Sequence, residues 1–260
     1  MKFRPYVIYS PILEMNTNSG GVKVMYGLYG HLLAKGMTAY LNVILNIHDY
    51  VAVYPEIMHG NEGKADHVVR YILNKPGIMG GGTRKHPLGP GPTEFDPTDE
   101  LYYFSRLFGE AKDEGHYMFL PILNMQLFKP QGKLRNKTSV FIGKDFDLHQ
   151  HPEGSIYITK DITNDQPKLA ELLNECEVMY CYDRVTAMTE IARLCGCRVV
   201  MINPIYSKDE FSKYEAGMNG ISWGEDTHVP LDVEGFRDHY KSMKREFSKK
   251  LDDFIERTQQ

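Results

Sequence analysis

The chain has 260 residues, of which 42% are hydrophobic and 25% are charged, and its formal net charge at pH 7 is −4. This composition is typical of a folded globular protein and excludes a disordered or fibrous chain. The slightly acidic balance offers no basic surface to a phosphate backbone, so no nucleic-acid partner is expected. A chain of this length forms one large domain or two small ones.

The first sixteen residues hold an apolar run that Pro11 and Glu14 interrupt. This segment therefore predicts a first β-strand and not a signal peptide. No apolar run approaches the roughly 20 residues that a membrane-spanning helix needs. The four cysteines lie between Cys176 and Cys197 without a C-x-x-C pair, which predicts buried, reduced thiols and a cytoplasmic location.

Short apolar runs alternate with segments of helical spacing along the whole chain. In the first half, the predicted elements are strand 6–12, helix 20–36, strands 38–45 and 51–57, helix 65–73, a Gly- and Pro-rich loop at 77–92, and strands 101–108 and 118–123. In the second half, they are strands 138–142 and 155–159, a helix from Pro167, strand 177–182, helix 185–196, strand 198–203 and a last amphipathic helix.

Strands that alternate with amphipathic helices imply parallel βαβ units, so the predicted fold class is α/β. The series is interrupted near 124–137 and then begins again. We therefore predict two Rossmann-like lobes, 1–130 and 137–230, and a C-terminal helix over 231–258 that packs back across the lobes.

The first candidate ligand site is the junction of the first strand and helix, at Gly20 and Gly21. Glycine lets a ligand approach the backbone closely, and a helix start offers free N–H groups and the positive end of the helix dipole. A tight turn without any ligand uses glycines equally well. The pattern leaves both interpretations open, because no G-x-G-x-x-G or Walker spacing accompanies it.

The second candidate site follows strand 177–182, since open α/β sheets bind ligands at the carboxyl ends of their strands. Asp183 is placed to cap the next helix, and Thr186 and Glu190 share one helix face because they are four residues apart. A hydroxyl there suits a diphosphate and a carboxylate suits ribose, although both side chains could simply be solvated. Lys144 could neutralise a phosphate or lie on the surface.

His48 and Glu56 are candidate general bases, because they fall near the ends of the second and third predicted strands with Asp49 and His59. Each of them alone is more often structural. The Asp-Leu-His-Gln-His segment at 147–151 is not expected to bind a metal, because no rigid element or further ligand accompanies it. We predict neither a metal nor a resident cofactor.

In their order along most of the chain, these segments resemble the GT-B glycosyltransferases. They resemble especially the bacterial and viral enzymes related to the glycosyltransferase 4 (group 1) family, which build surface polysaccharides. The resemblance rests on NSGGVKVMYGLYGHLLAKG, VYPEIMHGN with VVRYILNKPG, FLPILNMQLFKP, VFIGKD, MYCYDRVTAMTEIARLCGCRVVMI and GISWG.

The resemblance implies that the second lobe binds a nucleotide-diphosphate sugar and that the first receives a glycan or glycolipid acceptor. Lys144 and Thr186 would contact the diphosphate, helped by the Gly20-Gly21 backbone. Glu190 matches the family glutamate that holds the ribose of the donor.

One position departs from the family pattern. Many members carry another glutamate seven residues before the ribose glutamate, close to the transferred sugar. Here that position is Tyr182, with Asp183 beside it. The acid near the sugar is therefore either Asp183 or missing, and retention or inversion of the anomeric centre stays open.

The resemblance thus implies a metal-independent hexosyl- or pentosyltransferase of polysaccharide biosynthesis. Peripheral contact with a membrane and the oligomeric state are left open. The missing glutamate favours an alternative, a non-catalytic partner subunit that binds a nucleotide sugar. A sugar-nucleotide epimerase of the same fold is a third interpretation.

Overall fold

A computed structural model describes residues 3–13, 19–78, 91–202, 205–224 and 229–260. The chain divides into two compact units, Met1–Ile122 with Met243–Gln260, and Leu123–Ser242. Within the described residues, each unit contains one five-stranded sheet in which all pairs are parallel. The α/β fold class is confirmed, while the lobe limits 1–130 and 137–230 stay predictions.

The first unit follows the predicted alternation at its start. Its elements are β1 (Tyr6–Ile8), α1 (Gly20–Ala34), β2 (Ala39–Leu41), β3 (Val51–Pro55), β4 (His67–Ile72), β5 (Glu100–Tyr103) and a 3-10 turn at Glu114–His116. The strands lie in the order β2-β1-β3-β4-β5. In this doubly wound order the direction of winding reverses between β1 and β3.

Helix α1 forms because capping and an apolar face agree. The Ser19 hydroxyl accepts a hydrogen bond from Val22 N at 3.3 Å, and Gly36 follows the helix with φ of +79°. The apolar face, which includes Met25 and Leu28, packs with strand residues and with the end of the last helix in one core. Burial of each such side chain contributes about 1.5–3 kcal/mol.

The helix predicted at 65–73 is wrong, because His67–Ile72 form the strand β4. The strand β4 lies between β3 and β5 and is largely buried. Because both of its faces are covered, its apolar residues follow one another directly and do not alternate with polar ones. Such a run also satisfies helical spacing. The strand predicted at 118–123 is also absent: one bridge joins Tyr103 to Tyr117, and Pro121 has no N–H to donate. The predicted loop 77–92 lies mostly outside the described residues.

The second unit repeats this strand order. Its elements are β6 (Lys137–Phe141), β7 (Ile156–Tyr157), α2 (Lys160–Asn164), α3 (Gln166–Glu175), β8 (Cys176–Cys181), α4 (Met188–Cys195), β9 (Arg198–Met201), α5 (Lys208–Phe211) and β10 (Ile221–Trp223). The strands lie in the order β10-β9-β8-β6-β7, so the winding reverses between β6 and β8. The short elements α2, α5 and β10 were not predicted. All four cysteines are free and buried, as predicted.

The last helix, α6 (Val233–Thr258), is present where the apolar spacing predicts it. Its first ten residues belong to the second unit, where the Phe236 ring lies 4.1 Å from the guanidinium carbon of Arg193. The rest belongs to the first unit, where Phe247 and Phe254 join the core. Within the described residues, no helix is both long enough and apolar enough to cross a membrane.

Candidate functional site

The carboxyl ends of β6 and β8 bring together residues that the sequence analysis selected. These two strands are parallel neighbours at the point where the winding of the second sheet reverses. The segment after β6 contains Gly143 and Lys144, and the segment after β8 contains Asp183. Lys144 N donates a hydrogen bond to Asp183 Oδ2 at 3.3 Å. Lys144 and Asp183 therefore meet at the edge where open α/β sheets bind ligands.

Gly143 is required by the contact between these two segments. Its φ is +61°, in the left-handed region, and a Cβ atom placed there would lie 2.2 Å from Asp183 Oδ2. Only glycine tolerates both the backbone conformation and the close approach. The glycine thus lets the Asp183 carboxylate lie directly against the turn that follows β6.

The Asp183 carboxylate is buried, with 6% of the residue exposed. Burial raises the pKa of Asp183, and the charge and N–H group of Lys144 oppose this shift. A carboxyl group with a raised pKa next to a lysine at a sheet edge is suited to exchange a proton with a bound substrate. The prediction that Asp183 caps the following helix is wrong, because α4 begins only at Met188 and its N-cap is Ala187.

Thr186 and Glu190 do not share an accessible face. The Thr186 hydroxyl is half-buried and accepts a hydrogen bond from Met188 N at 3.3 Å, so it occupies the start of α4. Every residue of α4 is buried, and Glu190 is 3% exposed. The Tyr214 hydroxyl donates to Glu190 Oε1 at 2.7 Å. In this arrangement Glu190 offers almost no surface to a ribose.

Burial also raises the pKa of Glu190, against the lowering effects of the Tyr214 hydrogen bond and the Arg193 charge. The sequence suggested a solvated or ligand-facing glutamate because α4 was treated as an amphipathic helix with one open face. The segment that follows α5 covers this face of the helix. Arg193 donates hydrogen bonds to the backbone oxygens of Ala216, Gly217 and Asn219 in that segment.

In the first unit, Gly21 and Glu56 lie at one edge of the sheet. Glu56 directly follows β3, is 5% exposed, and accepts a hydrogen bond from Leu73 N through Oε2 at 2.9 Å. A Cβ on Gly21 would meet Leu73 Cδ1 at 3.5 Å, and a Cβ on Gly20 would meet nothing within 4 Å. Packing therefore does not require glycine at either position, and a role in approaching a ligand stays a prediction.

His48 lies at the opposite edge of the first sheet, so its grouping with Glu56 is wrong. All strands are parallel, and the chain must return to the amino edge before β3 can begin at Val51. His48 lies on this return. Its Nδ1 is 2.8 Å from Lys64 O, and its own carbonyl accepts from Asp66 N at 2.8 Å.

The structure also gathers polar side chains that the sequence analysis set aside, in the connection between β6 and β7. Asp147, His149 and His151 each present one ligand atom within 4.8 Å of the other two. The hydroxyl groups of Tyr157 and Tyr182 contact the same cluster. The Asp-x-His-x-His alternation was the available signal, and the packing of two tyrosines around it could not be predicted from the spacing.

No protein-family model and no curated protein matches the chain. Among solved structures, the chain is similar to the C-terminal part of E. coli RcsC, which contains a linker region and a phosphoreceiver domain. The alignment covers 95% of this chain and 94% of the RcsC chain. The sequence identity is 12% and the TM-score is 0.23. A likeness of this size carries no argument about fold or function.

Proposed function

We propose that the protein is a glycosyltransferase of the GT-B type. It transfers a sugar from a nucleotide-diphosphate sugar to a glycan or glycolipid acceptor in polysaccharide biosynthesis, without a metal ion. The observation that carries the proposal is the contact of Gly143 and Lys144 with Asp183 where the winding of the second sheet reverses. Fold-level resemblance alone would not specify the reaction.

The site supplies the groups that this reaction needs. The bond between the anomeric carbon and the diphosphate breaks, and the negative charge of the leaving group grows. Lys144 is exposed at the sheet edge and supplies a compact positive charge that stabilises the departing diphosphate. The start of α4, beside Thr186, adds the positive end of the helix dipole.

Asp183 serves the acceptor side of the same reaction. The acceptor oxygen bonds to the anomeric carbon and loses its proton, which Asp183 receives in this proposal. The raised pKa of the buried carboxyl brings it closer to neutral pH, where a general base works best. Gly20 and Gly21 lie in the first unit, so their joint contact with the same diphosphate stays a prediction.

Tyr182 stands where many members of the family that this chain resembles carry the glutamate near the transferred sugar, and its hydroxyl contacts His151. This position favours a second candidate, a partner subunit that binds a nucleotide sugar and does not turn it over. This candidate keeps the Lys144 site and removes the proton-transfer role of Asp183.

Binding is tested first, by calorimetry with UDP, GDP and ADP. Replacement of Lys144 by alanine should weaken the affinity about 10-fold, the equivalent of about 1.4 kcal/mol, because one charge-assisted contact is lost. Lys241→Ala is the matched control, since Lys241 forms an exposed pair with Asp238 in the same unit. Equal affinities in the wild type and Lys144→Ala, or no binding of any nucleoside diphosphate, would refute the site.

Turnover is tested next, by release of the nucleoside diphosphate from a panel of nucleotide sugars. The transferase predicts slow hydrolysis of one donor, which Asp183→Asn abolishes while nucleotide affinity is kept. Binding without any hydrolysis identifies the partner subunit instead. A changed sugar nucleotide formed without an acceptor identifies an epimerase.

A further inference from the structure

The connection between β6 and β7 brings three metal-ligand side chains together. An Asp147 carboxylate oxygen lies 3.8 Å from His149 Nδ1, and the other lies 3.9 Å from His151 Nδ1. The main chain turns at this point: His149 N donates a hydrogen bond to Asp147 Oδ1 at 2.8 Å, and the turn brings the three side chains together. His149 has a φ of +51°, a conformation that is uncommon for a residue other than glycine.

The hydrogen bonds around the cluster determine which nitrogen of His151 is protonated. The Tyr157 hydroxyl donates its proton to Asp147 Oδ2 at 2.6 Å, so it accepts a hydrogen bond from His151 Nε2, 3.0 Å away. His151 Nε2 therefore carries the ring proton. The Tyr182 hydroxyl accepts from Gln150 N at 2.8 Å and lies 2.7 Å from His151 Nδ1. The lone pair of neutral His151 is thus at Nδ1.

We propose that Asp147, His149 and His151 bind one divalent transition-metal ion, with Zn²⁺ as the representative. The ion takes the Nδ1 lone pair of His151 in place of the hydrogen bond from Tyr182. The Nε2–H group keeps its bond to Tyr157, which keeps its bond to Asp147. Metal-bound histidines usually donate their second N–H in this manner, which fixes the orientation of the ring.

Metal binding requires two rearrangements: the Tyr182 hydroxyl, 2.7 Å from His151 Nδ1, must move away from that nitrogen, and the three ligand atoms, now within 4.8 Å of one another, must approach. Zinc ligands lie about 2.0–2.2 Å from the ion, so neighbouring ligand atoms in a tetrahedral site are about 3.3 Å apart. The Asp147 to histidine distances must therefore shorten by roughly half an ångström. The His149 side chain is 81% exposed and can turn without disturbing the core.

The ligand set also selects the class of ion. Two imidazole nitrogens and one carboxylate suit Zn²⁺, Co²⁺ or Ni²⁺, whereas Mg²⁺ and Ca²⁺ prefer sites made entirely of oxygen. A cavity of about 300 Å³, lined by His149, His151 and Tyr157, leaves room for a water molecule as the fourth ligand. The site goes beyond the proposed transfer reaction, which uses no metal.

The test is equilibrium dialysis of untagged protein against Zn²⁺, with Mg²⁺ in parallel. The wild type should bind one zinc ion per chain and no magnesium. His149→Ala should weaken zinc binding at least about 100-fold, and Tyr157→Phe should weaken it about 10-fold by releasing the ring of His151. The matched control is His59→Ala, an exposed histidine of the first unit.

Cobalt supplies a second measurement, because tetrahedral Co²⁺ absorbs visible light strongly. The wild type should show this absorption and His149→Ala should lose it. Since His149 is exposed, its replacement leaves the fold intact, which circular dichroism checks. Unchanged zinc affinity in His149→Ala, or the absence of stoichiometric binding, would overturn the proposal. Removal of zinc with a chelator should leave nucleoside diphosphate affinity unchanged, so this test and that of the transferase fail independently.

Discussion

The two sheets share a strand order but position their buried carboxylates differently. Glu56 follows β3 and Asp183 follows β8, which are the corresponding strands of the two sheets. Glu56 is held by Leu73 N, after β4, on the side away from the reversal of winding. Asp183 is held by Lys144 N, after β6, at the reversal itself. Equal topology therefore does not produce equal sites, because the neighbour that fixes the carboxylate decides where it lies.

Among the described residues, each unit also buries one arginine, and the two are held in different ways. Arg70 Nε donates to Asp99 Oδ2 at 2.6 Å, with side chains that are 3% and 4% exposed. Arg193 donates to four backbone carbonyl oxygens instead, and its guanidinium lies over Phe236. Burial lowers the pKa of Arg193 to about 10, so it stays charged at neutral pH. A carboxylate neutralises the first arginine, and peptide dipoles stabilise the second.

The largest expected effect is on the buried pair of the first unit. Asp99→Asn leaves the charge of Arg70 uncompensated, and removal of one partner from a buried pair costs about 3–5 kcal/mol. The carbonyl oxygens of Met58 and Gly60 still accept from Arg70, which favours the lower end of this range. Chemical denaturation followed by far-ultraviolet circular dichroism measures the free energy of unfolding.

The control for this variant is Asp66→Asn, because Asp66 is exposed on the same unit and should change stability by less than about 0.5 kcal/mol. A loss below 1 kcal/mol for Asp99→Asn would contradict the distinction between the two arginines. It would show that carbonyl oxygens alone support Arg70 as they support Arg193.

The second effect concerns the carboxylate of the second unit. Gly143→Ala combines a left-handed backbone, which costs about 1–2 kcal/mol, with displacement of the Asp183 carboxylate. Gly132→Ala isolates the backbone contribution, since Gly132 has a φ of +68° and a Cβ there meets nothing within 4 Å. We expect Gly143→Ala to lower the free energy of unfolding by about 1–2 kcal/mol more than Gly132→Ala does, because the buried carboxylate of Asp183 is displaced.

This difference is followed by the fluorescence of Trp223, the single tryptophan of the chain, which lies in the second unit. Equal losses in the two variants would show that Asp183 moves aside freely and that the glycine is not required by the contact. The corresponding test in the first unit would place alanine at Gly20, where open space predicts no such loss.

The sequence predicted elements where local signals and packing agree. Helix α1 has a cap and one apolar face, and α6 has a long stripe of apolar residues, so both were located correctly. The strand β4 was missed because burial on both faces erases the alternation that marks a strand. Lys144 and Asp183 could be selected because carboxyl ends of parallel strands meet at one edge.

The remaining errors come from contacts between segments that are distant in sequence. His48 was assigned to the wrong edge, because only the parallel pairing of β3 shows that its connection returns to the amino end. Glu190 was interpreted as accessible, because nothing local to α4 indicates that Tyr214 covers it. The cluster at 147–151 was set aside for the same reason, since Tyr182 reaches it from another strand end.

The smallest expected effect tests whether the charge of Glu190 supports Arg193. Glu190→Gln keeps an acceptor for the Tyr214 hydroxyl, and the four carbonyl oxygens still hold Arg193, so the loss should stay below about 1 kcal/mol. Burial raises the pKa of Glu190 above its ordinary value of 4.5. Between the two pKa values, the folded state keeps a proton on Glu190 that the unfolded chain has lost. The contribution of Glu190 to stability is therefore complete below pH 4.5 and declines as the pH rises above it.

Glutamine does not titrate and therefore lacks this decline. The loss of unfolding free energy in Glu190→Gln, relative to the wild type, should thus be smaller at pH 7 than at pH 4. Denaturation followed by Trp223 fluorescence at both pH values measures the change, with Glu177→Gln as the surface control. A loss as large as that of Asp99→Asn, or a loss that grows with pH, would mean that Arg193 depends on an ionised Glu190. The second unit would then neutralise its buried arginine with a carboxylate, as the first unit does.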